Sequence, residues 1–196
     1  MSKIIVIEGP DRVGKATQVD LLQKKILSKN KSVIAVEVPL RSNFIYHVIY
    51  WMLGNGLAKK MPKLFQWFQY FNRQIFQWFV LPKLESTYDY IVMDRWSLST
   101  VIYGAATGVS ESFTNKLYER LRKPDHTFIL LGPSHKHTAE DVYESDSSLQ
   151  EKVRHLYSAW ASENHDKSIV VDCSQSRSEV SSRISNRLIE SRILEF

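Results

Sequence analysis

The chain has 196 residues, of which 43% are hydrophobic and 24% are charged, and these are the proportions of one globular domain with a full core. Its single cysteine excludes a disulfide framework and a cysteine-rich zinc site. The formal net charge of +5 comes from lysines and arginines spread along the chain without a basic block, so we predict a protein that handles small anions rather than nucleic acid. The amino-terminal residues do not follow the pattern of a signal peptide, and we expect a cytoplasmic protein.

The first predicted element is a buried strand over residues 3–7, which leads into a glycine-rich loop. The loop consists of Gly9, Pro10, Asp11, Arg12, Val13, Gly14, Lys15, Ala16 and Thr17. It fits the pattern G-x-x-x-x-G-K-[S/T] at every fixed position except the last, and an amphipathic helix follows it. The backbone N–H groups of such a loop surround a phosphate chain, and its lysine reaches the outer phosphates. We therefore predict a nucleotide phosphate site here, with an ordinary glycine turn as the alternative.

Ala16 is the position that departs from this pattern, because a serine or threonine hydroxyl normally binds Mg²⁺ there. Thr17 is a poor substitute, since one helical step rotates a side chain by about 100°. Mg²⁺ in proteins usually keeps several waters, so a water can fill the missing position. We expect metal binding to be weakened rather than lost.

Four more strand-like runs follow, at residues 33–38, 90–94, 127–131 and 168–172, and helical segments separate them. This alternation predicts an α/β fold in which a parallel sheet is covered by helices on both faces. The functional site of such a fold forms at the carboxyl ends of the strands. No repeat or low-complexity linker divides the chain, so we predict a single domain.

An aromatic segment runs from Phe44 to Leu81 and includes Trp51, Trp67 and Trp78. Its part from 64 to 81 is long enough to raise the question of a membrane span, but six polar residues between positions 66 and 77 argue against one. A helix with aromatic residues on most faces is typical of burial against both its own core and a partner subunit. We predict a subunit interface; an internal helix and a membrane-surface segment are the alternatives.

Polar residues follow the predicted second and third strands, where phosphate contacts are expected. Arg41 follows the second strand, Asp94 and Arg95 follow the third, and Arg73 lies in the aromatic segment. Arginine suits such positions because its planar fork binds a phosphate through two hydrogen bonds. Asp94 is placed to hold Mg²⁺ directly or through water. The alternatives are an Asp94–Arg95 ion pair and an Arg73 side chain that stacks on a ring only for packing.

With these features, the chain resembles the thymidylate kinase family of P-loop nucleoside monophosphate kinases over nearly its whole length. The most specific parts are the loop with its flanks, residues 8–18, and the segment Asp-Arg-Trp-Ser-Leu-Ser-Thr-Val-Ile-Tyr-Gly at 94–104. The resemblance implies a three-layer P-loop kinase fold, one domain over 1–196 with a five-stranded parallel sheet flanked by helices and a short lid at about 132–142. It implies transfer of the γ-phosphoryl group of ATP, with Mg²⁺, to dTMP. It also implies a homodimer. The spread of basic residues and the polar residues of the aromatic segment lead us to expect no binding of nucleic acid or membrane.

The resemblance assigns roles at the phosphate end by position. Lys15 and the loop backbone would hold the donor phosphates, and Thr17 would touch the α-phosphate region. Arg41 and Arg95 would grip the acceptor phosphate. Asp11 would contact the 3′-hydroxyl group of the acceptor sugar.

The resemblance also assigns residues to the acceptor nucleoside. Arg73 would hydrogen-bond the thymine, and Tyr103 would crowd the sugar 2′ position and so favour deoxyribose. Tyr143 and Gln150 resemble base-pocket residues near the lid. Ser99 completes the expected substrate contacts.

Arg12 places the chain in one subgroup of the family. It lies inside the phosphate loop, whereas the expected lid has no arginine and offers His135, Lys136 and His137. The resemblance is to the subgroup, which includes the eukaryotic enzymes, in which the loop arginine stabilises the transferring phosphoryl group. We therefore predict that Arg12 is an arginine finger supplied within the chain, together with catalytic roles for Lys15, Arg95 and Asp94. The alternative is a surface-exposed loop arginine.

Gln69 is a second departure from the family, because a base-stacking phenylalanine is expected four residues before Arg73. We expect either that Phe68 or Phe71 replaces it or that the base preference has changed. A polar Gln69 near C5 of the pyrimidine would favour dUMP or a C5-modified dUMP.

Two other functions remain open on the sequence. A deoxynucleoside kinase would need a carboxylate that deprotonates a sugar 5′-hydroxyl group, and Glu37 or Asp94 would have to serve. A nucleotide-binding protein with weak or lost catalysis would explain Ala16 and Gln69.

Overall fold

The computed structural model describes residues 2–133, 143 and 146–194. Five strands form one parallel sheet in the order β2-β3-β1-β4-β5. The strands are β1 (Lys3–Glu8), β2 (Val33–Glu37), β3 (Tyr90–Asp94), β4 (His126–Leu131) and β5 (Ile169–Asp172). The predicted sheet is confirmed, and each predicted strand end lies within one residue of the observed end.

Helices connect consecutive strands, as right-handed crossovers between parallel strands require. They are α1 (Lys15–Leu27), α2 (Phe44–Gly54), α3 (Leu57–Lys60), α4 (Pro62–Ile75), α5 (Leu81–Thr87), α6 (Ser97–Ala106), α7 (Glu111–Tyr118), α8 (Ser147–Glu163) and α9 (Arg177–Glu190). A π-helical segment, Phe76–Val80, joins α4 to α5. Among the residues described, no helix is long and apolar enough to cross a membrane.

Strand β1 is apolar on both sides because the sheet is covered on both faces. Ile5 and Ile7 point into a core built with α1 and α9. Ile4 and Val6 point into a second core, on the opposite face, which contains Phe76 of the π-helical segment. The run of consecutive apolar residues in β1 thus reflects a helix layer on each side of the sheet, as the predicted three-layer fold requires.

The strand order brings the two predicted site loops together. β1 pairs with β3 on one side and with β4 on the other, and Ile7 lies opposite Asp94 in the register. The backbone N–H of Arg95 donates to the carbonyl of Ile7 at 3.0 Å. The loop after β1 and the segment after β3 therefore leave the sheet side by side, at its carboxyl edge.

Candidate active site

A cavity of about 690 Å³ opens at the carboxyl edge of the sheet. The predicted site residues that line it are Asp11, Arg12, Val13, Gly14, Lys15, Ala16, Thr17, Arg73, Asp94, Arg95, Ser99, Tyr103 and Tyr143. Six other predicted site residues are described by the structure but do not line the cavity: Gly9, Pro10, Arg41, Phe68, Phe71 and Gln150. Residues from the phosphate loop, α4, β3 and α6 therefore meet in one space, as their positions along the chain predicted.

The phosphate loop turns tightly around its own lysine. Gly9 has a φ of 142°, and a Cβ atom there would lie 2.4 Å from the carbonyl oxygen of Leu130, so only glycine fits. Gly14, with a φ of 95°, is the N-cap residue that immediately precedes α1. The Lys15 ammonium group is buried and donates to the carbonyl of Pro10 at 2.6 Å. The loop thus holds its cation inward, at the amino-terminal end of a 13-residue helix.

The pKa of Lys15 is lowered to about 8, chiefly by burial and also by the nearby charge of Arg95. The carboxylates of Asp11, Asp94 and Glu8 act in the opposite direction. A phosphate group would add negative charge beside this ammonium group and favour its protonated form. The site is therefore ready to gain electrostatic energy when it binds a polyanion.

Glu8, the last residue of β1, ties the strand to α6. Its fully buried carboxylate accepts hydrogen bonds from the backbone N–H groups of Trp96 at 2.8 Å and Ser99 at 3.2 Å. The Ser99 hydroxyl group also donates to it, and the Tyr157 hydroxyl group donates at 3.0 Å. A carboxylate at the positive end of a helix is stabilising. Sequence reasoning missed this role, although a charged residue that ends a buried strand was a usable signal.

Two arginines of the site have left-handed backbone conformations, Arg12 with a φ of 62° and Arg95 with a φ of 69°. Such conformations cost on the order of 1–3 kcal/mol each and concentrate at functional sites. The Arg95 guanidinium group donates to the carbonyl of Gly9 at 3.1 Å and to the Ser99 hydroxyl group at 3.0 Å. Its carbon also lies 5.3 Å from the centre of the Tyr103 ring. Arg95 is therefore oriented before any ligand arrives.

Asp11 is the centre of a hydrogen-bond network at the loop. Its carboxylate pairs with Arg95 and accepts from the Tyr103 hydroxyl group at 2.6 Å and from the Gln150 side-chain amide at 2.7 Å. The same Gln150 accepts from the Asp11 backbone N–H at 3.2 Å and donates to the carbonyl of Tyr143 at 3.1 Å. Burial alone would raise the pKa of Asp11, but the charges of Arg95 and Lys15 and these hydrogen bonds outweigh it and lower the pKa.

Arg73 is held by Gln69, the residue at the position of the family's stacking phenylalanine. Arg73 is only 2% exposed and donates twice to the carbonyl of Trp96, both at 3.3 Å. Its third nitrogen donates to the Gln69 side-chain oxygen at 2.6 Å. Burial lowers the pKa of Arg73. Gln69 and Arg73 therefore line the cavity as one hydrogen-bonded unit.

Phe68 and Phe71 do not face the cavity, which corrects the expectation that one of them replaces the missing phenylalanine. Phe71 is 48% exposed and stacks on Trp67 with ring centres 5.6 Å apart. Phe68 packs against core residues between α4 and its neighbours. Each residue turns about 100° around a helix, so a face that presents Gln69 and Arg73 to the cavity directs Phe68 and Phe71 elsewhere.

Arg41 lies at the cavity rim rather than in its wall. Its guanidinium group pairs with Glu37 at 2.6 Å, and its side chain is 67% exposed. Glu37 itself lines the cavity. An exposed pair of this kind is weak, so Arg41 can exchange Glu37 for another anion at small cost.

Asp94 is the residue that fits a magnesium ion. Its Oδ1 atom is buried and has no hydrogen-bond partner among the residues described, and it lines the cavity with Lys15 and Ala16. Within residues 2–133, 143 and 146–194, no group of three or more His, Cys, Asp or Glu side chains could hold a metal. Mg²⁺ is often held by one carboxylate together with waters and substrate phosphates, and this arrangement offers that carboxylate.

Further residues line the cavity that sequence reasoning did not assign. They include Tyr50, Gln66, Thr100, Cys173, Gln175 and Arg177. Glu37, which the sequence offered only as a base for a deoxynucleoside kinase, also lines the cavity. Gln175 and Arg177 follow β5, so the rule that sites form after strand ends could have found them. The expected lid, including His135, Lys136 and His137, lies outside the described residues except for its first two positions, 132 and 133.

A phosphate loop after the central strand of a five-stranded parallel sheet, with cationic and acidic side chains around one cavity, defines a P-loop nucleotide kinase. Residues 7–184 match the family model described as thymidylate kinase. The chain belongs to the thymidylate kinase family, and the predicted family and fold class are confirmed.

Known proteins agree with this membership. A probable thymidylate kinase of Saccharolobus solfataricus is 29% identical over 187 residues, which cover 92% of this chain and 93% of the relative. The thymidylate kinase of Dictyostelium discoideum is 29% identical over 187 residues, covering 93% and 82%. The solved thymidylate kinase of Candida albicans superimposes with a TM-score of 0.78 at 20% identity, covering 97% of this chain and 92% of that one, and so supports the fold.

Proposed function

We propose that this chain transfers the γ-phosphoryl group of ATP to a pyrimidine deoxynucleoside monophosphate, with dTMP as the main acceptor. The observation that carries the proposal is the convergence of Arg12, Lys15 and Arg95 with Asp94 around one cavity beside the phosphate loop. A reaction between two polyanions requires this concentration of positive charge. The family and the names of the relatives support the same reaction.

At the donor end, the chain's part is to position and neutralise the phosphates. The acceptor phosphate oxygen is already a nucleophile near neutral pH, so alignment, charge neutralisation and exclusion of water provide most of the catalysis. Lys15 exchanges the carbonyl of Pro10 for a donor phosphate oxygen. Arg12, held in its left-handed conformation at the loop, stabilises the charge on the transferring phosphoryl group.

At the acceptor end, the Asp11–Arg95–Tyr103 network is the proposed nucleotide cradle. Arg95 binds the acceptor phosphate, and Asp11 accepts a hydrogen bond from the sugar 3′-hydroxyl group. Tyr103 stacks on Tyr143 with ring centres 5.9 Å apart, so its ring is held where a ribose 2′-hydroxyl group would lie. Arg41 leaves Glu37 to join the acceptor phosphate.

Mg²⁺ is the proposed cofactor, held by Asp94 directly or through water together with the nucleotide phosphates. When bound, the ion would neutralise charge on the β- and γ-phosphates. Ala16 offers no oxygen at the position of the usual hydroxyl ligand. The Oδ1 atom of Asp94, which has no partner among the residues described, is therefore the protein oxygen that we assign to the metal shell.

Gln69 supports a wider acceptor range than dTMP alone. Its side chain lies in the cavity wall where an apolar ring is expected, and it holds Arg73. A polar amide gains little from the thymine methyl group. We propose that dUMP or a C5-modified dUMP is phosphorylated as well.

We further propose that the chain is a homodimer through its aromatic segment. Large apolar side chains are exposed there, including Phe44, Trp51, Trp78 at 64% and Phe79 at 73%. Exposed apolar surface of this extent is typical of an interface. Sedimentation of a Trp78→Glu, Phe79→Glu double variant should show monomer. An Ile189→Glu variant, changed at an exposed site on α9, should stay dimeric, and a monomeric wild type would contradict the dimer.

The test of the reaction is a coupled ADP-release assay with Mg-ATP and dTMP, dUMP, dCMP, dGMP or thymidine against a blank without acceptor. Turnover that depends on dTMP or dUMP supports the monophosphate kinase. Turnover with thymidine alone would instead indicate a deoxynucleoside kinase. ATP binding without turnover would indicate a protein that has lost catalysis.

A further inference from the structure

Gln66 carries a side-chain amide that the fold buries without satisfying it. The residue is 0% exposed, and neither its Oε1 nor its Nε2 atom has a hydrogen-bond partner among the residues described. Its backbone carbonyl is occupied, because the Tyr118 hydroxyl group donates to it at 3.2 Å. A buried amide without partners is costly, and most such groups in native proteins are hydrogen-bonded. Its retention therefore needs an explanation.

Gln66 lines the cavity, and its amide lies against α6. Gln66, Gln69 and Arg73 are spaced by three and four residues, share one face of α4, and all line the cavity. Across from Gln66 lies Gly104 of α6, where a Cβ atom would stand 3.3 Å from Nε2 and 2.7 Å from Thr114. The glycine therefore leaves room for the amide where a larger residue would displace it.

The surroundings of Gln66 suit a flat, uncharged ring. Ile49 and Leu53 of α2 and Phe65 of α4 are buried and also line the cavity. A neutral amide carries a donor group, its NH₂, beside an acceptor, its carbonyl oxygen, so it pairs with an edge that presents both. A phosphate presents acceptors alone and is matched instead by Lys15 and Arg95 at the other end of the cavity.

We propose that Gln66 is a specificity-determining residue that hydrogen-bonds the imide edge of the acceptor base. Oε1 accepts from the ring N–H, and Nε2 donates to a neighbouring ring carbonyl. Arg73 can only donate, so it requires a second carbonyl on the base. Together these residues select uracil-type bases, which dTMP and dUMP share, over cytosine. The inference rests on the proposed function, since it assumes a deoxynucleotide acceptor in this cavity.

The test is a Gln66→Met variant, which keeps the length of the side chain and removes both polar atoms. We expect the KM for dTMP and for dUMP to rise together by about 10- to 100-fold, with kcat changed by less than about threefold. The ratio of the two acceptors should stay as in the wild type, because both present the same imide edge. A Gln74→Met variant, also buried on α4 but outside the cavity wall, is the matched control and should leave KM unchanged.

Thermal melting separates this role from a structural one. If the amide serves a ligand, Gln66→Met should melt at the same or a higher temperature without nucleotide, and dTMP should raise its melting temperature less than that of the wild type. A variant that melts lower and keeps its KM would overturn the inference while the kinase assignment stands. A wild type that neither binds nor phosphorylates dTMP or dUMP would overturn both. If Gln66→Met does not fold, Gln66→Leu repeats the test, and failure of both to fold would indicate a structural role.

Discussion

The two ends of the cavity differ in how their polar groups are used before a ligand binds. At the phosphate end, Asp11, Lys15 and Arg95 each have partners within the protein. At the base end, Gln69 is committed to Arg73, whereas the amide of Gln66 has no partner in the described part of the chain. Under the proposed function, the phosphate end is oriented in advance and would exchange its hydrogen bonds on binding. The base end would form new hydrogen bonds to the ligand, so variants there should change the choice of acceptor rather than the chemical step.

The largest expected effect is at Arg12. Arg12→Ala should lower kcat by about 10³-fold or more, because an arginine finger acts on charge that develops in the transition state. Stopped assays of ADP release with dTMP measure this, and circular dichroism with thermal melting checks the fold. Arg12→Lys keeps a positive charge without the planar fork and should recover only part of the rate. A folded Arg12→Ala protein with near wild-type kcat would remove the arginine-finger role.

Glu8 should matter most for stability. Glu8→Gln keeps the shape of the side chain, but it replaces a carboxylate by a neutral amide at the start of α6 and so weakens the hydrogen bonds that it accepts there. The substitution should lower the free energy of unfolding by about 2–4 kcal/mol. Urea titration measures the loss. Glu179→Gln, in the exposed capping box of α9, is the control and should cost about 1 kcal/mol or less. Equal losses at the two sites would show that the buried Glu8 network contributes no more to stability than an exposed capping box.

Gln69 tests the base end directly. Gln69→Phe restores an aromatic face, and stacking of about 1–3 kcal/mol per base should lower the KM for dTMP by about fivefold or more. Contact with the methyl group should also shift the preference toward dTMP over dUMP by about tenfold. Gln69→Leu, which releases Arg73 without adding an aromatic ring, should not lower the KM. An unchanged dTMP-to-dUMP ratio in Gln69→Phe would mean that the base lies elsewhere.

The pKa of Lys15 predicts a pH dependence at the phosphate end. Because this pKa is about 8 in the free protein, Lys15 is charged below pH 8 and loses its proton above it. About half of the Lys15 side chains are charged at pH 8 and about a tenth at pH 9, so the Kd for ATP should rise about fivefold over this range. Isothermal titration measures the Kd. Lys15→Arg stays charged and should lack this rise, so a parallel rise in both proteins would assign it to another group.

The smallest effect should come from Ala16. Ala16→Ser adds a hydroxyl group that can bind Mg²⁺ beside Asp94. It should lower the Mg²⁺ concentration for half-maximal rate by about two- to tenfold. Activity against free Mg²⁺ at saturating ATP measures the shift, with Ala16→Gly as the control without an oxygen. An unchanged Mg²⁺ dependence in Ala16→Ser would mean that another group already fills that position.

Much of the architecture could be predicted from sequence because its signals are local. Apolar runs located all five strands within one residue, and the rule that sites form after strand ends brought Lys15 and Asp94 together. Arg73 and Tyr103, which the family resemblance assigned to the acceptor nucleoside, both line the cavity, and their roles there stay predictions. These successes share one property: a short stretch of sequence carries the whole signal.

The failures involve contacts that no short stretch contains. Glu8 and Tyr157 are 149 residues apart in the chain, so their hydrogen bond has no local signal. The aromatic segment has rings on most faces of α4, so periodicity could not say which face meets the cavity, and Phe71 was assigned to the wrong one. Gln66 is one of the six polar residues that argued against a membrane span, and only the folded structure shows that its buried amide lacks a partner among the residues described.

The most direct test compares Arg12→Ala and Gln69→Phe side by side, with kcat and KM measured for dTMP and dUMP. The account predicts that Arg12→Ala lowers kcat for both acceptors equally and leaves their ratio unchanged. It predicts that Gln69→Phe changes the ratio while kcat stays within about threefold of the wild type. A change of ratio in Arg12→Ala, or an equal loss of kcat for both acceptors in Gln69→Phe, would contradict the division of the cavity into a catalytic phosphate end and a selective base end.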